Sequence, residues 1–251
     1  MKPKRYALLV AVVCAIGLTT QAQDHAPRPQ KTKTSSVRLG DKVISIPDPD
    51  GFEEAMSQFP QYKQRVIATE GPDNDALLAH LPVSDCELMR NGSPATYHHY
   101  TKVSVLKVAR DLTVSRALMT EAVASFRKNA GTYLDPNGAT MKSLAKKAER
   151  GLTEADARET KLDFTQTQHL GEFDVRPDIN SFLLLMTVRV SAGGTEATVP
   201  MLTSLSFVRV NERIIYVYVF KRYRAETDVE AIKQFTTKWT TTIVAANKPS
   251  D

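Results

Sequence analysis

From Ile214 to Phe220, inside RIIYVYVFKRY (Arg213 to Tyr223), the chain runs through isoleucine, valine, tyrosine and phenylalanine without a small or charged residue. Successive strand side chains point to opposite faces, so Ile214, Tyr216, Tyr218 and Phe220 form one row and Ile215, Val217 and Val219 the other. An antiparallel sheet with one solvated side reads apolar inward and polar outward. Neither row here belongs in water. Any sheet that contains this strand must be covered on both faces.

The neighbouring strands are readable because their turns are. From Lys161 onward, strand patterns are separated by Pro177-Asp178, Gly193-Gly194 and Asn211-Glu212, pairs suited to tight turns. Such turns join neighbours, which predicts a four-stranded antiparallel meander over Lys161 to Tyr223. With the last two pairs as turn centres, Tyr218 falls opposite Leu205 and Leu205 opposite Phe182, an apolar row across three strands. The reverse face aligns Val219, Ser204 and Leu183, with Ser206 and Ser181 beside Val217. That small serine row would let a helix approach closely.

Two helices are available as covers. LTVSRALMTEAVASFRKNAG places Leu118, Met119, Ala122, Val123 and Phe126 on one side, with Gly131 as a C-cap candidate. The last helix opens on Thr227 and Glu230 as a capping box and carries Val229, Ile232, Phe235, Trp239 and Ile243 as a stripe. One helix on each face gives an α+β chain, a three-layer α/β/α sandwich around a twisted, mainly antiparallel sheet.

Upstream, VRLGDKVISIP reads as an edge hairpin, and PDPDGFEEAMSQF as a turn leading into a short helix. Strands follow at 75–83 and 96–109, joined through Asn91-Gly92 as a turn. GATMKSLAKKAERGLTEADAR adds a more polar helix whose basic run is a solvated face. With 42% hydrophobic and 24% charged residues in 251, the chain has material for a sizeable core, placed here in one domain over 37–246 with a tail at 247–251. Residues 1–22 read as a secretory signal peptide: Lys2, Lys4 and Arg5, then ALLVAVVCAIGL, then small residues before a cut after Ala22. Residues 23–36 are polar and proline-bearing, a disordered leader. Removing the signal takes three basic residues from a net charge of +5, leaving 5 − 3 = +2. No Lys/Arg run marks nucleic-acid binding. The mature chain keeps only Cys86, so no intramolecular disulfide is available, and Cys86 is read as a buried apolar residue.

In VISIPDPDGFEEA, in YTKVSVLKVAR feeding LTVSRALMTEAVASF, and in RIIYVYVFKRY before VEAIKQFTTKW, the chain resembles the PsbP-type α/β/α sandwich. That fold is shared by extrinsic photosystem proteins, a nuclear Ran-binding factor and exported bacterial proteins of unknown function. The resemblance rests on element order over 37–246. It implies a fold and an accessory or binding role, and carries over no functional residue.

No P-loop, GxGxxG, HExxH or GxSxG motif occurs. His98 and His99 are strand neighbours and point to opposite faces, so a metal pair would need His80. An Asn91-Gly92 turn sets His80 opposite Val103; a looser loop sets it opposite His99. PDPDG fails the calcium-loop spacing, because the first loop position would be Ile46. Glu154, Asp156 and Glu159 lie in the most polar part of the chain and are read as solvated. Asn91-Gly92-Ser93 also fits a glycosylation acceptor. Ser181, Ser204 and Ser206 would line a small pocket only if the covering helix stood off, and close packing is the plainer reading. No catalytic residue, metal or cofactor is therefore assigned. The expectation is an exported, non-enzymatic binding or accessory module, periplasmic or secreted, whose partner is another envelope protein or a small ligand. The alternatives are an envelope hydrolase with an unrecognised site and a small apolar ligand carrier.

Overall fold

The computed structural model describes residues 33–156 and 158–248. Strands β1 (Thr34–Leu39) and β2 (Lys42–Pro47) form a hairpin, followed by β3 (Phe52–Glu54), α1 (Pro60–Ala68), β4 (Asn74–Pro82), α2 (Val83–Arg90) and β5 (His99–Leu106). Helices α3 (Arg116–Tyr133) and α4 (Ala139–Asp156) precede the meander of β6 (Thr160–Arg176), β7 (Ile179–Ala192), β8 (Thr195–Val210) and β9 (Arg213–Arg222), and α5 (Thr227–Ala246) closes the order. Seven strands make the main sheet, in the order β3-β4-β5-β9-β8-β7-β6. Every neighbouring pair is antiparallel.

The meander has the register its turns dictate: Tyr218 opposite Leu205, Leu205 opposite Phe182, Val219 opposite Ser204, Ser204 opposite Leu183, and Ser206 between Val217 and Ser181. Both residues of the Asn211-Glu212 and Gly193-Gly194 turns have positive φ, the backbone a two-residue hairpin of right-handed twist requires. Two separate cores result. On one face Phe126 of α3 packs on Phe182 and Phe207, with ring centroids 4.7 and 5.6 Å away. Tyr62 of α1 and Met141, Leu144 and Leu152 of α4 are buried on the same side. On the other face, Ile232, Trp239 and Ile243 of α5 share a core with Ile215, Val217 and Val219 and with Leu39, Ile44 and Ile46 of the β1–β2 hairpin. The aromatic face thus takes the longer helical layer, and the serine face takes α5 at close range.

Several local readings change. Asn91-Gly92 does not join β4 to β5. The intervening residues wind into α2, and the pair ends it: Gly92 has φ 76°, its N–H donates to Met89 O, and Ser93 N–H donates to Leu88 O, a Schellman cap. A left-handed glycine serves a helix end as well as a hairpin. The β1–β2 hairpin is no edge of the main sheet; it lies across the face beside α5. Thr34, Ser35 and Ser36, assigned to the leader, pair with Pro47, Ile46 and Ser45. Asn247, assigned to the tail, clasps Ser45 through both its amide atoms, at 2.9 and 2.7 Å. Helix α3 continues past Gly131 to Tyr133. The N-cap of α5 is Glu226, whose side chain makes no capping hydrogen bond; Asp228 instead accepts from the N–H groups of Arg224 and Ala225. The proposed signal peptide and most of the leader lie outside the described residues.

Candidate functional site

Where β5 ends, the chain makes a short 3-10 turn over Lys107–Ala109 and runs to α3 along the sheet end. Arg213 and Arg209 hold this segment. Arg213, only 3% exposed, donates to Leu39 O, to Leu112 O and to Thr113 Oγ1 and contacts Asp41. Arg209 donates to Val114 O at 2.6 Å, and Val114 N–H donates to Glu212 O. Ser115 then caps α3, accepting from Leu118 N–H at 3.1 Å. The backbone is therefore fixed by charged groups from the sheet, while two of its apolar side chains face outward: Val108 is 65% exposed and Leu112 47%.

Between this segment and α3 lies an apolar cleft of about 120 Å³, floored by Phe207, Ile214 and Tyr216 and walled by Leu118, Ala122 and Phe126. Ser125, Tyr133 and Tyr216 are the hydroxyl-bearing residues in the lining. A dry cavity of roughly 150 Å³ suffices for benzene, so this cleft suits a single branched or aromatic side chain. No sequence pattern announced it, because its walls come from β5, α3, β8 and β9. The visible trace is the wasteful exposure of Val108 and Leu112.

The histidines are brought near one another without forming a metal site. His80 pairs with Thr101 in the sheet register, opposite neither Val103 nor His99, since α2 replaces the hairpin turn. Among the described residues no cluster of three or more His, Cys, Asp or Glu is arranged to hold a metal. His80 is fully buried, with Nδ1 3.0 Å from Thr101 Oγ1 and Nε2 3.4 Å from Asp48 Oδ1. Thr101, His80 and Asp48 stand in the order of a nucleophile, base and carboxylate, but His80 Nε2 and Asp48 Oδ1 make no hydrogen bond to each other. Thr101 is 0% exposed, however, and the Trp239 ring stands edge-on to His80 at 5.3 Å. No substrate reaches that hydroxyl. The three are core residues of the sheet and the Pro47–Asp50 turn, and Trp239 of α5 packs on His80 and donates to Pro47 O at 2.8 Å.

His99 sits between the rings of Phe52 and Phe235, each with its centroid 4.8 Å away. Burial, reinforced by Lys221 and only partly opposed by Asp228, pushes its pKa down to about 3. The folded protein therefore favours the neutral ring, and the unfolded chain protonates first as pH falls below the ordinary histidine value of about 6.5. Stability from this group is complete above that value and is lost on acidification toward the folded pKa, by at most about 1.4 kcal/mol per pH unit. Urea unfolding of His99→Phe is expected to show a shallower loss between neutral pH and pH ~4 than the parent chain. Parallel pH profiles for the two proteins would rule this assignment out.

The remaining candidates resolve structurally. Ser181 and Ser206 hydrogen-bond each other at 2.7 Å, and Ser204 reaches Thr236 of α5 at 2.7 Å; all three serines are 0% exposed. The helix does not stand off, so these hydroxyls line no pocket. Asp156 pairs with Arg65 at 2.6 Å and Glu159 with Lys161 at 3.6 Å, both surface contacts. Asp50 of PDPDG pairs with Lys238. Cys86 is buried and its thiol is pushed up to about 12, chiefly by burial, which makes it a poor nucleophile.

A buried ion pair escaped sequence reading altogether. Glu70, 2% exposed, and Lys102, 1% exposed, meet at 2.9 Å beneath α4. Ser104 Oγ, Asn74 Nδ2 and Gly71 N–H also donate to the Glu70 carboxylate, and the Lys102 ammonium lies 4.9 Å from the Tyr218 ring centroid. Enclosure on this scale makes it a structural element.

No family model matches the chain, and no curated protein sequence matches it. Among solved structures it is similar to the Ran-binding protein Mog1p of Saccharomyces cerevisiae, at 12% identity over 86% of this chain and 95% of that one, with a TM-score of 0.36. A mutant of Mog1 matches at 11% identity over 86% and 94%, with a TM-score of 0.35. These findings correct two expectations. The structures returned are Ran-binding proteins and not PsbP-type proteins; element order and two-sided patterning do not separate families built on such sandwiches. The exported envelope module, with its signal peptide and its periplasmic or secreted location, likewise gains no support from Ran-binding neighbours; its location rested on N-terminal residues that lie outside the described ones. Among the described residues no helix is long and apolar enough to cross a membrane. At these TM-scores the likeness carries neither partner nor site residue to this chain.

Proposed function

We propose that this chain is a protein-binding module whose cleft between α3 and the 107–114 segment receives one apolar side chain of its partner. The observation that carries this reading is the 120 Å³ apolar cleft bordered by the exposed Val108 and Leu112. Interfaces concentrate their energy in a buried anchor that fills a pocket, surrounded by contacts that exclude water. The cleft supplies the pocket, and Val108 and Leu112 supply apolar area around it worth about 25 cal/mol per Å² once covered. Arg213 and Arg209 pre-form the rim, so little ordering entropy is spent on binding.

The test compares capture by the intact chain with capture by Val108→Glu/Leu112→Glu, using Val175→Glu as a control at another residue that is 61% exposed. A partner held by the parent and by the control but lost by the double variant, with methyl resonances of Leu118 and Ile214 shifting on its addition, supports the cleft. Equal capture by all three proteins, or binding that leaves those methyl groups unmoved, overturns it.

A further inference from the structure

Most arginines of the described fold hold a carboxylate. Arg222, at the end of β9, and Arg224, just beyond it, hold none; both face a histidine. Arg222 Nη1 lies 3.3 Å from His98 Nε2, and Arg224 Nη2 lies 3.1 Å from His98 Nδ1. The backbone locks two of them together, since Arg222 N–H donates to His98 O at 2.8 Å. His98 and Arg222 are half-buried and Arg224 is exposed.

This arrangement has a surplus of donors. A guanidinium only donates, and a neutral imidazole offers one N–H and one lone pair. Whichever tautomer His98 adopts, one of its two contacts sets a donor against a donor; the protonated ring makes both so. The nearby carboxylates do not relieve this. Asp228 is occupied by Lys221 and by the N–H groups of Arg224 and Ala225. Asp85 accepts from Thr96 Oγ1 and from Tyr97 N–H. The chemistry that matches such a set of donors is an acceptor with several oxygens and negative charge.

We propose that His98, Arg222 and Arg224 form a receptor for a tetrahedral oxyanion, a phosphate group. The two guanidiniums, one at each ring nitrogen, supply the directed donors and the imidazolium between them adds positive charge, while a phosphate dianion supplies at least three acceptor oxygens, with the guanidinium geometry suited to bidentate contact. The site is independent of the cleft and stands or falls separately. In the unliganded protein, burial and then the charges of Arg224 and Arg222 depress the His98 pKa, with Asp85 opposing. A bound dianion reverses that balance, so His98 takes up a proton on binding.

Nuclear magnetic resonance of the His98 ring nitrogens in the full chain tests this at constant ionic strength against chloride. Sulfate, a dianion that does not titrate near neutrality, is expected to shift both nitrogens saturably toward the imidazolium position. Its affinity is expected to rise as pH falls, by up to about tenfold per pH unit. Inorganic phosphate and phenyl phosphate should compete with sulfate; tighter binding of the ester identifies an esterified phosphate as the natural group, and equal binding a free anion. Arg224→Met, at an exposed position, should weaken sulfate binding at least tenfold with an unchanged Tm. His98→Gln should still bind but lose the pH dependence. No saturable shift, or equal affinity of Arg224→Met and the parent, overturns the site.

Discussion

Replacing Lys102 by Met is expected to destabilise the protein by about 3–5 kcal/mol, because it leaves the buried Glu70 carboxylate without its ammonium partner. Glu70→Ala should also destabilise, by taking the carboxylate away from the buried Lys102 ammonium. The double change Lys102→Met/Glu70→Leu should recover much of the loss, since apolar replacement of a buried pair is often neutral or better. Chemical denaturation of the four proteins checks this, and additive single losses in the double variant would contradict it. The pair also predicts acid behaviour. Burial alone would raise the Glu70 pKa, but the Lys102 charge and the hydrogen bonds from Lys102, Ser104 and Asn74 outweigh it, leaving the carboxyl below its ordinary value. A depressed carboxylate contributes stability that is complete above the ordinary carboxylate range and lost as pH falls toward the folded pKa. Glu70 and His99 therefore both weaken the fold in acid. Their windows differ: His99 acts first, from about pH 6.5 downward, and Glu70 below the ordinary carboxylate pKa.

Gly151→Ala should also destabilise, by about 1–3 kcal/mol, although alanine favours a helix interior over glycine by about 1 kcal/mol. Gly151 lies in α4 where it crosses α1, and a Cβ there would stand 2.9 Å from Ala68 Cα, 3.1 Å from Ala68 O and closer still to Ala68 Cβ. The obstacle is largely backbone, so no side-chain rotation relieves it, and the helices must separate over the buried Tyr62, Val66 and Leu152. Thermal unfolding of Gly151→Ala beside Gly131→Ala makes the comparison direct. Gly131 in α3 has open space around its missing Cβ, and its replacement should raise Tm. A rise in Tm for both variants would refute the close crossing.

The meander and its covers were legible because they depend on short-range rules. Positive-φ turn pairs fix the strand partners, the period of two fixes the faces, and two apolar faces demand two layers. That chain of constraints led from Asn211-Glu212 to the pairing of Tyr218, Leu205 and Phe182. Where a signal admits two meanings, sequence reading failed: Asn91-Gly92 closes a helix, since its left-handed glycine fits either role, and the whole β4–β5 register moved with it. Gly40-Asp41 did close a hairpin, but nothing local shows that the hairpin lies on a sheet face.

The amino-acid order by itself determined a doubly covered antiparallel sheet and the register of its largest part, because hydrophobic period and turn chemistry act between near neighbours. Only the tertiary structure decided which charges are enclosed, as with Glu70 and Lys102, and which apolar side chains are left outside, as with Val108 and Leu112. It also decided where His98 meets Arg222 and Arg224. These depend on distances between residues far apart in the chain, set by how whole layers pack, and no local pattern encodes them.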